Sequence, residues 1–233
     1  MKKIFCIGMH KTATTSTHNL LKRIGIKSTH SPVTDVIELA KEYDATSDGF
    51  HVDKFKRYYK HHPYALFILN TRPMDDWIKS RIKHGFHLLE KRKRPRMGKY
   101  AGGMNYFFKE EVNNLPWPPP TDLVIDWIQT RQYHHEKIFK FFCDKPDQLI
   151  VCNIKRQGWE QEILKFLHYN FDDSILPENH ETLHLNRSDN NLDKYNNLSN
   201  NITIKAHKLF DYNGDELLFP NSYKYSCSFI TYT

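Results

Sequence analysis

Apolar residues in this chain follow two rhythms that alternate along its length. Short unbroken runs occur at Ile4 to Ile7, Ala65 to Thr71 (ALFILNT) and Gln148 to Asn153 (QLIVCN). They are too brief for stable helices and suit fully buried strands. Between them, apolar positions recur three and four apart. Thr14 to Ile24 carries Leu20, Leu21 and Ile24 and stops at Gly25, while Pro32 to Tyr43 carries Val33, Val36, Ile37 and Ala40, with Ser31 as its expected cap. A short strand and turn over Asp44 to Phe50 leads into an aromatic-rich helix from Val52 to His61. Further helices are predicted over Pro73 to Lys83, Thr121 to Cys143 and Trp159 to His168. Pro73 suits a first helical turn, and Asp75 and Asp76 complement the positive end of its dipole. Strands alternating with helices predict three layers, α/β/α, around a mostly parallel central sheet.

Two regions break the pattern. Residues 85–120 hold the basic run Lys91-Arg92-Lys93-Arg94-Pro95-Arg96, then Gly102-Gly103, then Trp117-Pro118-Pro119-Pro120. So long an excursion is read as a functional surface loop. From Asn186 onward the chain turns to Asn, Asp, Lys and Tyr with weak periodicity. The expected organisation is one domain over 1–188 and an Asn-rich extension over 189–233, with no internal repeat.

Charge and cysteine usage narrow the chemistry. The 233 residues carry a formal charge of +7, which favours anionic partners without specifying one. Cys6, Cys143, Cys152 and Cys227 are widely separated, so neither a zinc site nor a disulfide framework is expected, and a reducing, cytoplasmic setting is. No segment approaches the ~18 apolar residues of a membrane helix. His180-Glu181-Thr182-Leu183-His184 fits H-E-x-x-H formally, but no amphipathic helix surrounds it, and no metal is expected. The Lys91–Lys99 cluster reads as a solvated loop, as a basic rim for an acidic acceptor, or as a nucleic-acid or targeting stretch.

The most informative segment comes after the first strand: Gly8-Met9-His10-Lys11-Thr12-Ala13-Thr14-Thr15-Ser16, with a helix beginning inside it. Backbone N–H groups at a helix N-terminus, small hydroxyl residues and a lysine together make an anion cradle. The nucleoside-triphosphate loop G-x-x-x-x-G-K-[ST] is not matched, since only two residues separate Gly8 from Lys11. GMHKTATTS resembles instead the 5′-phosphosulfate-binding loop of the sulfotransferases that use 3′-phosphoadenosine 5′-phosphosulfate (PAPS). The departure is Ala13, where glycine is usual: mild if the backbone there is helical, serious if it needs positive φ. FILNTRPMDDWIKSR, residues 67–81, resembles the 3′-phosphate-binding segment of the same family. Alone, Arg72 would be read as an ion-pair partner of Asp75 or Asp76, and Ser80 as an ordinary helix serine. RQYHHEKIFKFF, with His134-His135-Glu136, and HLNRS at 184–188 resemble later parts of the small sulfotransferases.

The resemblance implies a P-loop-like sulfotransferase fold. It further implies transfer of a sulfuryl group from PAPS to an acceptor hydroxyl or amine, leaving 3′,5′-adenosine bisphosphate (PAP) and requiring no metal. Lys11 would stabilise charge, His10, Thr12, Ala13, Thr14, Thr15 and Ser16 would line the donor loop, and Arg72 and Ser80 would hold the 3′-phosphate. The family's base, a His, Glu or Asp near the end of the third strand, maps to Asp48, with His51 as the alternative. The expected partner is a small-molecule or carbohydrate acceptor, not nucleic acid or membrane; oligomeric state stays open. A small-molecule kinase and a non-catalytic nucleotide- or nucleic-acid-binding module are the competing readings. The first requires a full triphosphate loop, and the second predicts salt-sensitive binding.

Overall fold

The structure is a computed structural model and describes residues 2–30, 35–48, 54–81 and 121–167. These fall into two compact units, one of 2–72 and 134–167, the other of 73–81 and 121–133.

The first unit is built on five strands: β1 (Ile4–Cys6), β2 (Ser28–His30), β3 (Ala45–Ser47), β4 (Leu66–Thr71) and β5 (Leu149–Asn153). They lie in the order β2-β3-β1-β4-β5, and every pairing is parallel. The helices are α1 (Thr14–Arg23), α2 (Val36–Glu42), α3 (Lys54–His61), α4 (residues 74–81), α5 (Thr121–Phe142) and α6 (Trp159–Phe166), with a 3₁₀ turn at Pro146–Gln148. α4 and the first part of α5, to Tyr133, belong to the second unit.

Strand alternation explains why both sheet faces are covered. Ile4, Cys6, Leu66, Ile68, Ile150 and Cys152 join Leu20 and Leu21 of α1 and Ile163 and Leu164 of α6 in one buried cluster. Phe5 and Phe67 face the other way. Phe5 stacks on Tyr58 of α3 with ring centroids 5.1 Å apart, and Phe67 meets Phe142 of α5 at 4.8 Å. Strands apolar on both faces are what an all-parallel sheet requires.

In the second unit, Met74, Trp77 and Ile78 of α4 and Val124, Trp127 and Ile128 of α5 are buried. Two buried arginines are packed among them beside aromatic rings: Arg81 Cζ lies 4.0 Å from the Trp127 ring centroid, and Arg131 Cζ lies 5.0 Å from that of Trp77.

The layer order agrees with the expected α/β/α fold, with three local differences. β2 is absent from the sequence-based expectation, because Ser-Thr-His at a sheet edge lacks an apolar signature. The second helix begins at Val36 rather than at Pro32. Its cap is Asp35, whose carboxylate accepts from Ile37 N at 2.9 Å; the expected cap Ser31 lies outside the described residues. Pro73 precedes α4, with its carbonyl accepting from Trp77 N. His51, Lys91–Lys99, the 180–184 pattern, HLNRS at 184–188 and the 189–233 extension also lie outside the described residues. Among the described residues, no helix is long and apolar enough to cross a membrane, and no group of three or more His, Cys, Asp or Glu is arranged to hold a metal ion.

Candidate functional site

Parallel strands present all their carboxyl ends at one rim. β1 is the switch point of the topology: the chain adds β2 and β3 on one side of it and β4 and β5 on the other. Open α/β sheets bind ligands at this rim, near such a point. β1 leads into the loop Gly8–Ala13, β2 ends in His30, β3 is followed by Asp48, and β4 is followed by Arg72. Residues far apart in sequence are therefore neighbours by topology.

The loop has an unusual backbone. Lys11 and Ala13 have φ of 68° and 64°, in the left-handed region that costs a residue with a Cβ roughly 1–2 kcal/mol. Asp48, across from the loop, has φ 67°. Strain of this kind persists only where surrounding contacts over-determine it. Those contacts are visible. The Thr12 hydroxyl, fully buried, donates to the Met9 carbonyl, so its side chain braces the loop. Arg72 Nη1 donates to the Lys11 carbonyl at 3.0 Å. Beneath the loop, buried His134 of α5 donates from Nε2 to the Ile7 carbonyl at 2.8 Å. Asn70 at the end of β4 donates from Nδ2 to Thr17 Oγ1 at 2.7 Å, tying α1 to the sheet. Gly8 is required by close approach: a Cβ there would lie 2.5 Å from the Asn70 carbonyl oxygen and 2.8 Å from Thr12 Oγ1.

Ala13 is the N-cap of α1, with φ 64° and ψ 36°, and it supplies no side-chain cap; the first turn carries no acidic residue. A helix start without a side-chain cap or an acidic residue of its own suits an external anion, with the Asp48 carboxylate beside Thr14 as the opposing charge. Ala13 thus falls in the more demanding of the two cases its sequence allowed.

Electrostatics at the rim point the same way. Lys11 is pushed below its ordinary range of about 10.5, chiefly by burial and then by the charge of Arg72, while Asp48 opposes the shift. Two cations drawn together around a strained loop form a site that an anion would stabilise.

Asp48 is the hub on the opposite side. Its Oδ1 lies 3.1 Å from His10 Nδ1 and accepts from Thr14 Oγ1 at 3.4 Å, and its Oδ2 lies 3.7 Å from His30 Nε2. The Asp48 and His10 side chains are only 17% and 13% exposed. His30 also approaches Thr14 Oγ1 at 3.3 Å and Thr15 Oγ1 at 3.1 Å. The structure therefore brings together His10, Lys11, Thr12, Ala13, Thr14, Thr15, Asp48 and Arg72. Buried Ser16 follows on the first turn of α1. Ser80 is half-buried on α4, in the second unit. His30 is a contributor that sequence reasoning missed, and His134, quoted there within the RQYHHEKIFKFF resemblance, carries no site role in that reading. His30 ends a strand without an apolar signature, and the strand-end role of His134 depends on a contact 127 residues away in sequence.

A family model described as a sulfotransferase domain matches residues 31–184, while no match was found among curated proteins. The matched stretch includes Asp48, Arg72 and Ser80 and begins after the loop at 8–16. The loop's geometry is thus a separate observation that agrees with the match. With the parallel five-stranded sheet and a match covering well over half its length, the chain belongs to the sulfotransferase family.

Proposed function

We propose that this sulfotransferase uses PAPS as its donor and passes the sulfuryl group to a hydroxyl or amine of a small-molecule or carbohydrate acceptor. The observation that carries this reading is the bond from Arg72 Nη1 to the Lys11 carbonyl, which joins the two segments expected to grip the two ends of one doubly anionic nucleotide. The donor fits the residues present: a helix start without a side-chain cap and two clustered cations.

In this reading the acceptor atom forms a bond to sulfur in line with the departing bridging oxygen, so PAP leaves as an anion. Lys11 neutralises the charge developing on that oxygen. The backbone of Thr12 and Ala13 and the hydroxyls of Thr14, Thr15 and Ser16 hold the phosphosulfate end. Arg72 holds the 3′-phosphate, for which the resemblance also names Ser80, and this group distinguishes the donor from ordinary nucleotides. Asp48 takes the acceptor's proton, with His10 hydrogen-bonded to the same carboxylate and His51 as the alternative base. We assign catalysis to residues 1–188 and leave 189–233 as an extension. A reducing compartment agrees with the free thiols of Cys6, Cys143 and Cys152; burial pushes the Cys6 thiol up to about 12.

Thermal-shift titration with PAP, ADP and ATP tests the donor assignment. At 100 times its Kd, PAP should stabilise the fold by about 2.7 kcal/mol, a rise of roughly 5–10 °C. ADP should give far less. Equal shifts for PAP and ADP would remove the 3′-phosphate from the reading, and a preference for Mg²⁺-ATP would favour a kinase.

A further inference from the structure

We infer that His10 is a positioning residue for the base of the reaction: its Nδ1 holds the Asp48 carboxylate, so the loop that grips the donor also sets the base. The inference rests on the PAPS reading with Asp48 as base. It directs His10 at Asp48 rather than at the donor.

Asp48 follows β3 with φ 67°, a left-handed backbone that persists only where neighbouring contacts fix it. Two of those contacts reach its Oδ1 from the donor loop and the helix it opens: His10 Nδ1 at 3.1 Å and Thr14 Oγ1 at 3.4 Å. The His10 contact is the shorter, and both of its side chains are largely withdrawn from water. A carboxylate that serves as base is ionised and only accepts, so the hydrogen of this bond belongs to Nδ1. Hydrogen bonds to an ionised acceptor are among the strong ones, and this one spans 38 residues of chain.

The consequence lies in what the loop carries. His10 and Lys11 are neighbours in the chain. One short stretch of backbone therefore places both the amine at the leaving oxygen and the holder of the carboxylate at the acceptor. In-line transfer needs these two groups on opposite sides of one sulfur atom, and a shared mount keeps their spacing constant. A histidine in a donor loop has a second possible use, giving a hydrogen from Nε2 to the sulfonate. The two uses engage different ring nitrogens, and experiment can separate them on that ground.

The test compares wild type with His10→Asn, His10→Gln and His10→Ala. Asparagine brings an amide N–H to the place of Nδ1, and glutamine brings one near the place of Nε2. Calorimetry reads PAP affinity, and turnover is PAP released from PAPS with water, phenol or glucosamine as acceptor. His10→Ala and His10→Gln should lose about 10–100-fold in kcat, the scale of one hydrogen bond to a charged group, with PAP Kd within about threefold of wild type. His10→Asn should recover most of that loss. In an Asp48→Asn background, His10→Ala should cost little more, because a residue acting through Asp48 has nothing left to hold. Recovery by glutamine instead of asparagine, PAP affinity falling in step with turnover, losses that multiply in the double variant, or no loss in any variant would each overturn the inference while leaving PAPS as donor. Should His10→Ala not fold, the asparagine and glutamine variants still decide. Nitrogen NMR of the wild-type imidazole should also show hydrogen on Nδ1 of His10, and a bare Nδ1 would refute the inference. Wild type that binds PAP but turns over none of the acceptors would remove Asp48 as base and His10 with it. Wild type that binds no PAP would overturn the donor reading as well.

Discussion

Replacing Ala13 by glycine should make the protein more stable, although it deletes a methyl group and loosens the unfolded chain. Ala13 caps α1 at φ 64°, ψ 36°, without a side-chain bond to the helix. The left-handed region costs a residue with a Cβ roughly 1–2 kcal/mol. Against this stands the extra backbone entropy that glycine loses on folding, about 0.5–1 kcal/mol. The difference leaves a net gain of about 0.5–1 kcal/mol, in the same sense as the preference for glycine over alanine at N-caps. For a chain of 233 residues this is a rise in Tm of roughly 1–4 °C. Urea unfolding should show a higher midpoint at an unchanged slope, since the surface exposed does not change. Gly25 offers the reciprocal experiment. It has φ 82°, and a Cβ built there meets nothing within 4 Å, so Gly25→Ala isolates the backbone cost without a clash. It should destabilise by about the amount that Ala13→Gly gains. If Ala13→Gly is neutral or harmful while Gly25→Ala costs as expected, Ala13 is not left-handed in solution and the strained loop geometry is wrong.

Lys11→Met should also stabilise the ligand-free fold, by about 1 kcal/mol or 2–4 °C, because it removes a half-buried cation crowded by Arg72. Lys11 is depressed in the folded state relative to about 10.5, so the unfolded chain binds more protons in the window between, and wild-type stability recovers there with rising pH. The variant's advantage should therefore be largest near neutrality and shrink as pH climbs through that window toward 10.5, while donor turnover falls at least about a hundredfold. A lower melting temperature near neutral pH would show that Lys11 stabilises the loop. Gly8→Ala forces a Cβ to 2.5 Å from a backbone oxygen of β4 and should cost about 1–3 kcal/mol together with most PAP binding. Retention of both in calorimetry would mean that β1 and β4 part more readily than their packing implies.

How far the sequence reveals this molecule depends on the range of each interaction. β1, β4 and β5 are legible because both of their faces are buried, so apolar side chains stand next to one another in the chain. The helices that cover them are legible from spacing alone. β2 is not, because among the described residues Ser28-Thr29-His30 pairs only with β3, and it has no apolar run of its own. The start of α2 is ambiguous in sequence because Ser31 and Asp35 are both good caps, and only the backbone decides between them. At the site, Lys11 and Arg72 stand out through short motifs that concentrate charge beside a strand end. The left-handed turns at Lys11, Ala13 and Asp48 are hidden because glycine, the usual marker of positive φ, is absent from all three. The contacts joining His10, Thr14 and His30 to Asp48 span 18 to 38 residues, and no local pattern announces them.

The peptide unit between Lys11 and Thr12 is planar and, as nearly all such units are, trans, so its oxygen and its hydrogen point in opposite directions. Whatever grips the oxygen aims the hydrogen. Arg72 therefore works as a tiller: from 61 positions along the chain it sets the heading of the Thr12 amide.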